Sequence, residues 1–406
     1  MARLTRVQQQ ARTRASVLVA AREEFVAHGY AAAKVDRIAE RAELTRGAVY
    51  SNFPGKRALY LAVLVDLVDG AAPSVAPATV VLPPASLADA LGAFARTWLE
   101  RLPLVDDTAA GGRLQLRSLV GVVDDEQGRA ALAQLAALEA LLLGFALESY
   151  GPEGVPGAAP VRQVRLAELV LTLLGGAGFL AEQAPGFGDP FDRARACEHL
   201  AGLDLADRWA PSYLPYVGPA EACREPWSPP AGLVDLLTDD PVDLAADGLV
   251  AVVGAGRVGA AEEAVRSARP GDRVTVVVTT ADPAETGSLV RLKVRDLTAG
   301  LRAVFPAESW QRLQLVVDGE GGVASAAGLT DSDAETEGAV RVHGGAIVAR
   351  AHGRGAAHAV STAPTASAAP TTSGAPTTST APTASTAPTT STVDSSASSP
   401  LRRDEA

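Results

Sequence analysis

Cysteine is nearly missing from this 406-residue chain: Cys197 and Cys223 stand alone, too far apart for CxxC or zinc spacing. That excludes a disulfide framework and a metal finger, and a reactive thiol is the weaker alternative. Aromatic residues are also scarce, at 4%. No apolar run continues for the eighteen or so residues that a membrane helix needs. The best stretch, 166–181, holds Glu168, Thr172 and three glycines. The Arg-rich start lacks the apolar core of a secretory signal. No membrane partner is expected, and the expected location is cytoplasmic. His343, His352 and His358 are irregularly spaced, and the acidic loop 331–337 has Thr336 and Val342 where a calcium loop needs Gly and Glu. No nucleophile and base come together in the pattern. Neither metal, cofactor nor enzyme activity is therefore expected.

What is present lies mostly at the start. The length suits two or more domains, and a hydrophobic share of 47% supports packed cores. Leu18, Ala21 and Phe25 recur on one helical face until His28 and Gly29 end it. Val35, Ile38, Ala39 and Ala42 form a second stripe, and after Glu43 and Leu44 comes Thr45, suited to cap a third helix. There Leu44, Ala48, Val49 and Phe53 can pack inward, leaving Thr45, Arg46, Gly47, Tyr50, Ser51 and Asn52 on an outward face that suits a major groove. Two short helices at helix-turn-helix spacing point to double-stranded DNA.

Charge agrees. Up to residue 60 there are eleven Lys or Arg against five acids, so a segment near +6 sits on a remainder near -17, for a net of -11. Lys56 and Arg57 fall in the first turn of the next helix, where the macrodipole disfavours cations by about 0.3 to 1 kcal/mol unless an anion lies between them. A DNA phosphate would be that anion.

Gly29-Tyr30, Ile38-Ala39, the run TRGAVYSNF from Thr45 to Phe53, and Pro54-Gly55-Lys56 together resemble the TetR family of repressors, over roughly the first sixty residues. The resemblance implies a homodimer on a palindromic operator, answering to a small-molecule effector. It implies that Arg46 and its neighbours reach base edges, and that Thr45, Tyr50 and Lys56 contact mainly phosphates. Glu43 replaces a usual turn glycine, where a positive φ would cost about 1 kcal/mol. Ala33 replaces a usual hydroxyl, whose phosphate contact Lys34 could take over.

Residues 1–64 thus read as a helix-turn-helix domain and 65–210 as a helical dimerisation and effector domain, with helices over 86–102, 113–122, 127–150, 161–182 and 189–209. The helices ending at Tyr150 and beginning at Val161 are apolar around most of their circumference, which predicts a four-helix dimer interface including Leu169, Leu173 and Gly176. An effector pocket would draw on Phe94, Trp98, Leu114, Phe145 and Phe179, with Gln115 or Arg117 as polar handles. Plain core is the competing account of each.

Residues 211–240 read as a linker and 241–360 as an α/β domain, with strands at 249–253, 273–278, 313–317, 339–342 and 346–349 and helices at 262–269 and 298–304. The run 316–329 and the final strand pair resemble the thioredoxin-like domain of flavoprotein aromatic hydroxylases. No cysteine follows residue 223, so dithiol exchange is excluded. Gly254, Gly256 and Gly259 spell GxGxxG after a strand, which makes an NAD(P)-binding redox sensor or oxidoreductase the alternative reading. The acid that the fingerprint needs about twenty residues on is absent, and a tight strand-to-helix turn fits better. From 361 to 406 an Ala/Pro/Thr/Ser tail repeats AlaProThr every six residues, with too few apolar groups to fold.

Overall fold

A computed structural model describes residues 5–71, 84–103, 107–150 and 162–364. The repeat tail lies outside the described residues from 365 onward, as does the Gly/Pro cluster 151–160.

The head is four helices: α1 (Arg6–Ala32), α2 (Val35–Arg41), α3 (Arg46–Asn52) and α4 (Lys56–Ala71). A capping box between Thr5 and Gln8 starts α1, and helical geometry breaks at Gly29, whose φ of 69° a side chain would resist. Val17, Ala21, Phe25, Ile38, Val49 and Phe53 are buried between these helices, and Tyr60 of α4 meets Phe25 edge-on at 4.9 Å.

Among the described residues five helices follow: α5 (Leu87–Leu99), α6 (Ala109–Gln115), α7 (Glu126–Glu148), α8 (Val164–Gln183) and α9 (Pro190–Leu200). Ser86, Thr108, Asp125 and Asp189 cap four of them with side-chain oxygens. Gly144 lets α7 approach α8, since a Cβ there would lie 3.1 Å from the Val164 backbone. By length and composition α7 and α8 could each cross a bilayer. Burial of 61% of the apolar window of α7, and its ion pair with the sheet region, fit a core helix instead.

The remainder builds one mixed sheet from β1 (Glu221–Pro226), β2 (Gly248–Gly254), β3 (Val274–Thr279), β4 (Leu313–Asp318), β5 (Glu337–His343) and β6 (Ala346–His352), in the order β1-β6-β5-β2-β3-β4. Strands β2, β3 and β4 run parallel, joined through α10 (Ala261–Ser267) and α11 (Thr286–Arg302); β5 is antiparallel to both β2 and β6. Two short helices, α12 (Gly322–Ala326) and α13 (Ala356–Thr362), complete it. The interior strand β3 is buried along its whole length, which is why its valines are continuous rather than alternating. The β5–β6 hairpin turns at Gly344 and Gly345, both at positive φ.

Strand β1 and the length of α11 depart from the sequence reading. The first lies within the expected linker 211–240 and has no apolar alternation, because it is an exposed edge strand held by β6 alone. Composition also suggested a separate α/β body, whereas the packing is continuous. On one sheet face Leu249, Val253, Val276 and Leu315 share a core with Leu61 of α4 and Leu138 and Leu142 of α7; on the other, Val250, Val252 and Val277 pack with Trp227 and Val323. The change to valine marks a change of secondary structure, not a gap between cores.

Helix α11 is the strut of this arrangement, packed against both α4 and α7. Its polar side chains reach the helices: Lys293 to Glu139 at 3.0 Å, Arg295 to Asp69 at 2.6 Å, and Asp296 to Arg101 at 2.6 Å.

Candidate nucleic-acid interface

Helix α3 buries Val49, with Phe53 behind it, while Thr45, Arg46, Gly47, Tyr50 and Ser51 are exposed and Asn52 is half-buried. The Thr45 hydroxyl accepts from the Ala48 N–H at 3.2 Å and so starts the helix. Ser51 and Asn52 both donate to the Ala48 carbonyl, at 2.9 Å. Arg46 lies over the Tyr50 ring at 5.4 Å and 3.3 Å from Asp36. Hydrogen bonding to Tyr50, then the charge of Asp36, hold its guanidinium above the usual arginine range. A row of hydroxyls around a fixed guanidinium is what base edges and phosphates in a major groove require.

Two features set the pose of that face. Glu43 adopts φ 56° in the turn, the left-handed geometry expected where a glycine is usual. Glu24, which sequence reasoning passed over, is fully buried and accepts from the Lys34 N–H at 3.2 Å, with Arg37 and Arg41 within 3.6 Å and His28 at 3.7 Å. It fastens α1 to the start of α2. The signal was an acid inside the apolar stripe, next to Phe25 and one turn before His28.

The first turn of α4 differs from expectation. Lys56 donates to the carbonyls of Ala31 and Ala33, at 3.0 and 3.1 Å, and lies 4.8 Å from the Tyr30 ring centre. Burial pushes its ammonium below the usual lysine range. Lys34 makes no side-chain cap and precedes α2 in extended geometry. Arg57 is bridged by Asp125 at the start of α7 and Glu285 beside α11. The anion expected beside these cations is thus supplied for Arg57 by the protein itself, across sequence distances that no local pattern reveals.

The other candidate residues do not converge on one pocket. Phe94 and Leu114 are core, with Phe94 packed against Trp98 and Phe305. Phe145 lies under Arg162, Gln115 is exposed, and Phe179 is 56% exposed on α8. Trp98 and Arg117 do share a cleft of about 770 Å³, but with Arg101, Arg295 and Asp296 in a neutralised ion network rather than with the aromatic set. Leu169 and Gly176 are exposed and Leu173 half-buried on the outer face of α8, and a Cβ at Gly176 would meet nothing within 4 Å.

The glycine loop is filled by protein. Gly254 and Gly256 donate to the carbonyls of Thr336 and Ala334 at 2.7 and 2.8 Å, and Gly259 donates to the Gln134 side chain at 3.1 Å. A Cβ on Gly254 would lie 2.2 Å from the Asp333 carbonyl. The N–H groups that a pyrophosphate would need are occupied, so the spelling reflects a close approach of the 333–336 segment. That removes the basis of the NAD(P) alternative at this loop.

A four-helix head with an exposed, hydroxyl-rich third helix defines a helix-turn-helix domain. Residues 17–63 match the family model of bacterial regulatory proteins of the tetR family. Over 56 residues the chain is 48% identical to the HTH-type transcriptional activator FasR of Mycolicibacterium smegmatis, a stretch covering 14% of this chain and 26% of that protein. Over 54 residues it is 48% identical to the uncharacterized HTH-type transcriptional regulator TtgW of Pseudomonas putida, covering 13% and 40%. The matches therefore span well under half of either relative. A solved TetR-family transcriptional regulator from Mesorhizobium loti covers 49% of this chain and 96% of its own, at 17% identity and a TM-score of 0.24. The likeness lies in the N-terminal domain, where residues 17–63 have the sequence of tetR-family regulatory proteins.

Proposed function

We propose that the chain is a cytoplasmic, non-enzymatic transcriptional regulator that grips a palindromic operator as a homodimer and represses by occupancy. The observation that carries this is the outward face of α3, where Thr45, Arg46, Gly47, Tyr50 and Ser51 stand free of the core. The positive head on a negative body supports it, because only that end attracts a polyanion.

Pairing would use α8 and α9. Leu169, Phe179, Leu180 and Phe191 are exposed there, Phe191 by 78%, and a second copy would cover them. Two heads must sit about 34 Å apart, or a multiple of it, to meet successive groove faces. A small-molecule effector would act by changing that separation. The α/β region takes a structural or sensing role, since it has no dithiol.

The test compares two substitutions by fluorescence anisotropy on several duplexes. Arg46→Ala should weaken one operator by about 1 to 3 kcal/mol and relax its sequence preference. Lys56→Ala should weaken all duplexes alike, lower the salt slope by about one, and destabilise the head by about 1 kcal/mol through the lost carbonyl contacts. Equal losses on every sequence from both changes would contradict the assignment of base and phosphate roles. Failure of the purified protein to shift any duplex at low ionic strength would end the regulator reading.

A further inference from the structure

Where α4, α7, α11 and the glycine loop meet there is a cavity of about 430 Å³, within the size range of small-molecule sites. Its apolar wall comes from Leu61, Val123, Ala131 and Leu289. Among the described residues its polar side carries Asp125, Glu126, Asp282, Glu285 and Glu335 against a single cation, Arg57. The starts of α7 and α11 also face it, each worth roughly half a positive charge, which offsets about one of the four excess negative charges. An excess of roughly three remains. An apolar body with a positive head is the chemistry that such a cavity selects.

Arg57 already shows how a cation sits there, with its guanidinium between the Asp125 and Glu285 carboxylates. It is mostly covered yet not locked in a sealed core, since its side chain is 34% exposed. We propose that this cavity binds an organic cation, a guanidinium or amine on an apolar body, and that Arg57 is a resident occupant which the ligand displaces. Arg57 lies five residues beyond Asn52, the last residue of α3, so exchange at the cavity is felt at the groove-facing helix. The regulator reading supplies that consequence; the site itself is independent of it. The cavity differs from the pocket sought among Phe94, Phe145 and Phe179, because the sheet region supplies part of its wall.

The experiment is titration calorimetry on the full chain without DNA, with phenethylguanidinium as probe and phenethyl alcohol as its neutral counterpart. Arg57→Ala removes the resident cation, so it should bind the probe at least about tenfold more tightly than the parent. The probe should also raise the melting temperature of this variant. Adding Glu285→Gln should reverse the gain. Ala130→Phe, an exposed change at the start of the second turn of α7, should fill the cavity and abolish binding while Arg57 keeps both partners. Equal probe affinity with and without Arg57, or an alcohol that binds as well as the guanidinium, overturns the proposal. Because no DNA is present, an inability to bind any duplex would strike the regulator reading and leave the cation site standing.

Discussion

Helix α3 in the head and helix α11 beside the sheet use their cations in opposite ways. On α3 the Arg46 side chain is 61% exposed, tethered only to Asp36 and Tyr50, and the hydroxyls around it face outward. On α11 Lys293 turns inward onto the buried Glu139 and so joins the sheet region to the helices, while Arg295 and Arg302 pair with the more exposed Asp69 and Asp239. An exposed pair contributes little to stability, whereas a buried one is costly to break. Helix α3 therefore keeps its charge available to a partner, and α11 uses the buried Lys293 pair to hold one packing arrangement.

Lys293→Ala gives the largest effect that this contrast predicts. Glu139 is buried, and burial already pushes its carboxyl above the usual range despite Lys293. Left alone, it should cost about 3 kcal/mol or more of stability at neutral pH. Urea unfolding should show the deficit shrinking at pH 5, where Glu139 can take up a proton. A loss below about 1 kcal/mol, as for a surface pair, would break the contrast.

Glu148 sharpens it within the helical region. Burial outweighs the charge of Arg162, 2.9 Å away, and raises its carboxyl from 4.5 to about 7. The folded state thus holds a proton that the unfolded chain has released. The sign follows: this contribution is complete below pH 4.5 and is lost as pH rises through about 7, by up to about 3 kcal/mol. Glu148→Gln should flatten that part of the stability curve. An unchanged slope between pH 4.5 and 7 would show that Glu148 ionises as an ordinary surface acid.

These differences explain what could be read from sequence. The head is built from contacts three and four residues apart, so the inward set of Val49 and Phe53 and the outward set of Thr45 and Tyr50 were legible. The left-handed turn at Glu43 was legible too, from one unusual residue. Strands β2 to β6 were visible as valine-rich runs, but their shared core with α7 was not, because composition records which residues are apolar and not what they meet. Strand β1 carries no apolar pattern and exists through its pairing with β6. Arg57 met Glu285 across 228 positions, a contact that only the folded chain reveals.

The smallest effect lies in the head. Glu43 pays for its left-handed backbone at φ 56° without an evident return, since its side chain is exposed. Glycine removes the Cβ penalty, while its greater freedom in the unfolded chain takes back part of the gain, so Glu43→Gly should stabilise by about 0.5 kcal/mol. The carboxylate lost is also a negative charge two residues before Thr45, so duplex affinity should rise slightly at low salt and converge with the parent at high salt. Chemical denaturation and salt-dependent anisotropy measure both. A destabilised variant would mean that Glu43 makes a contact that offsets its strain, and the head would then resemble the body in turning its charge inward.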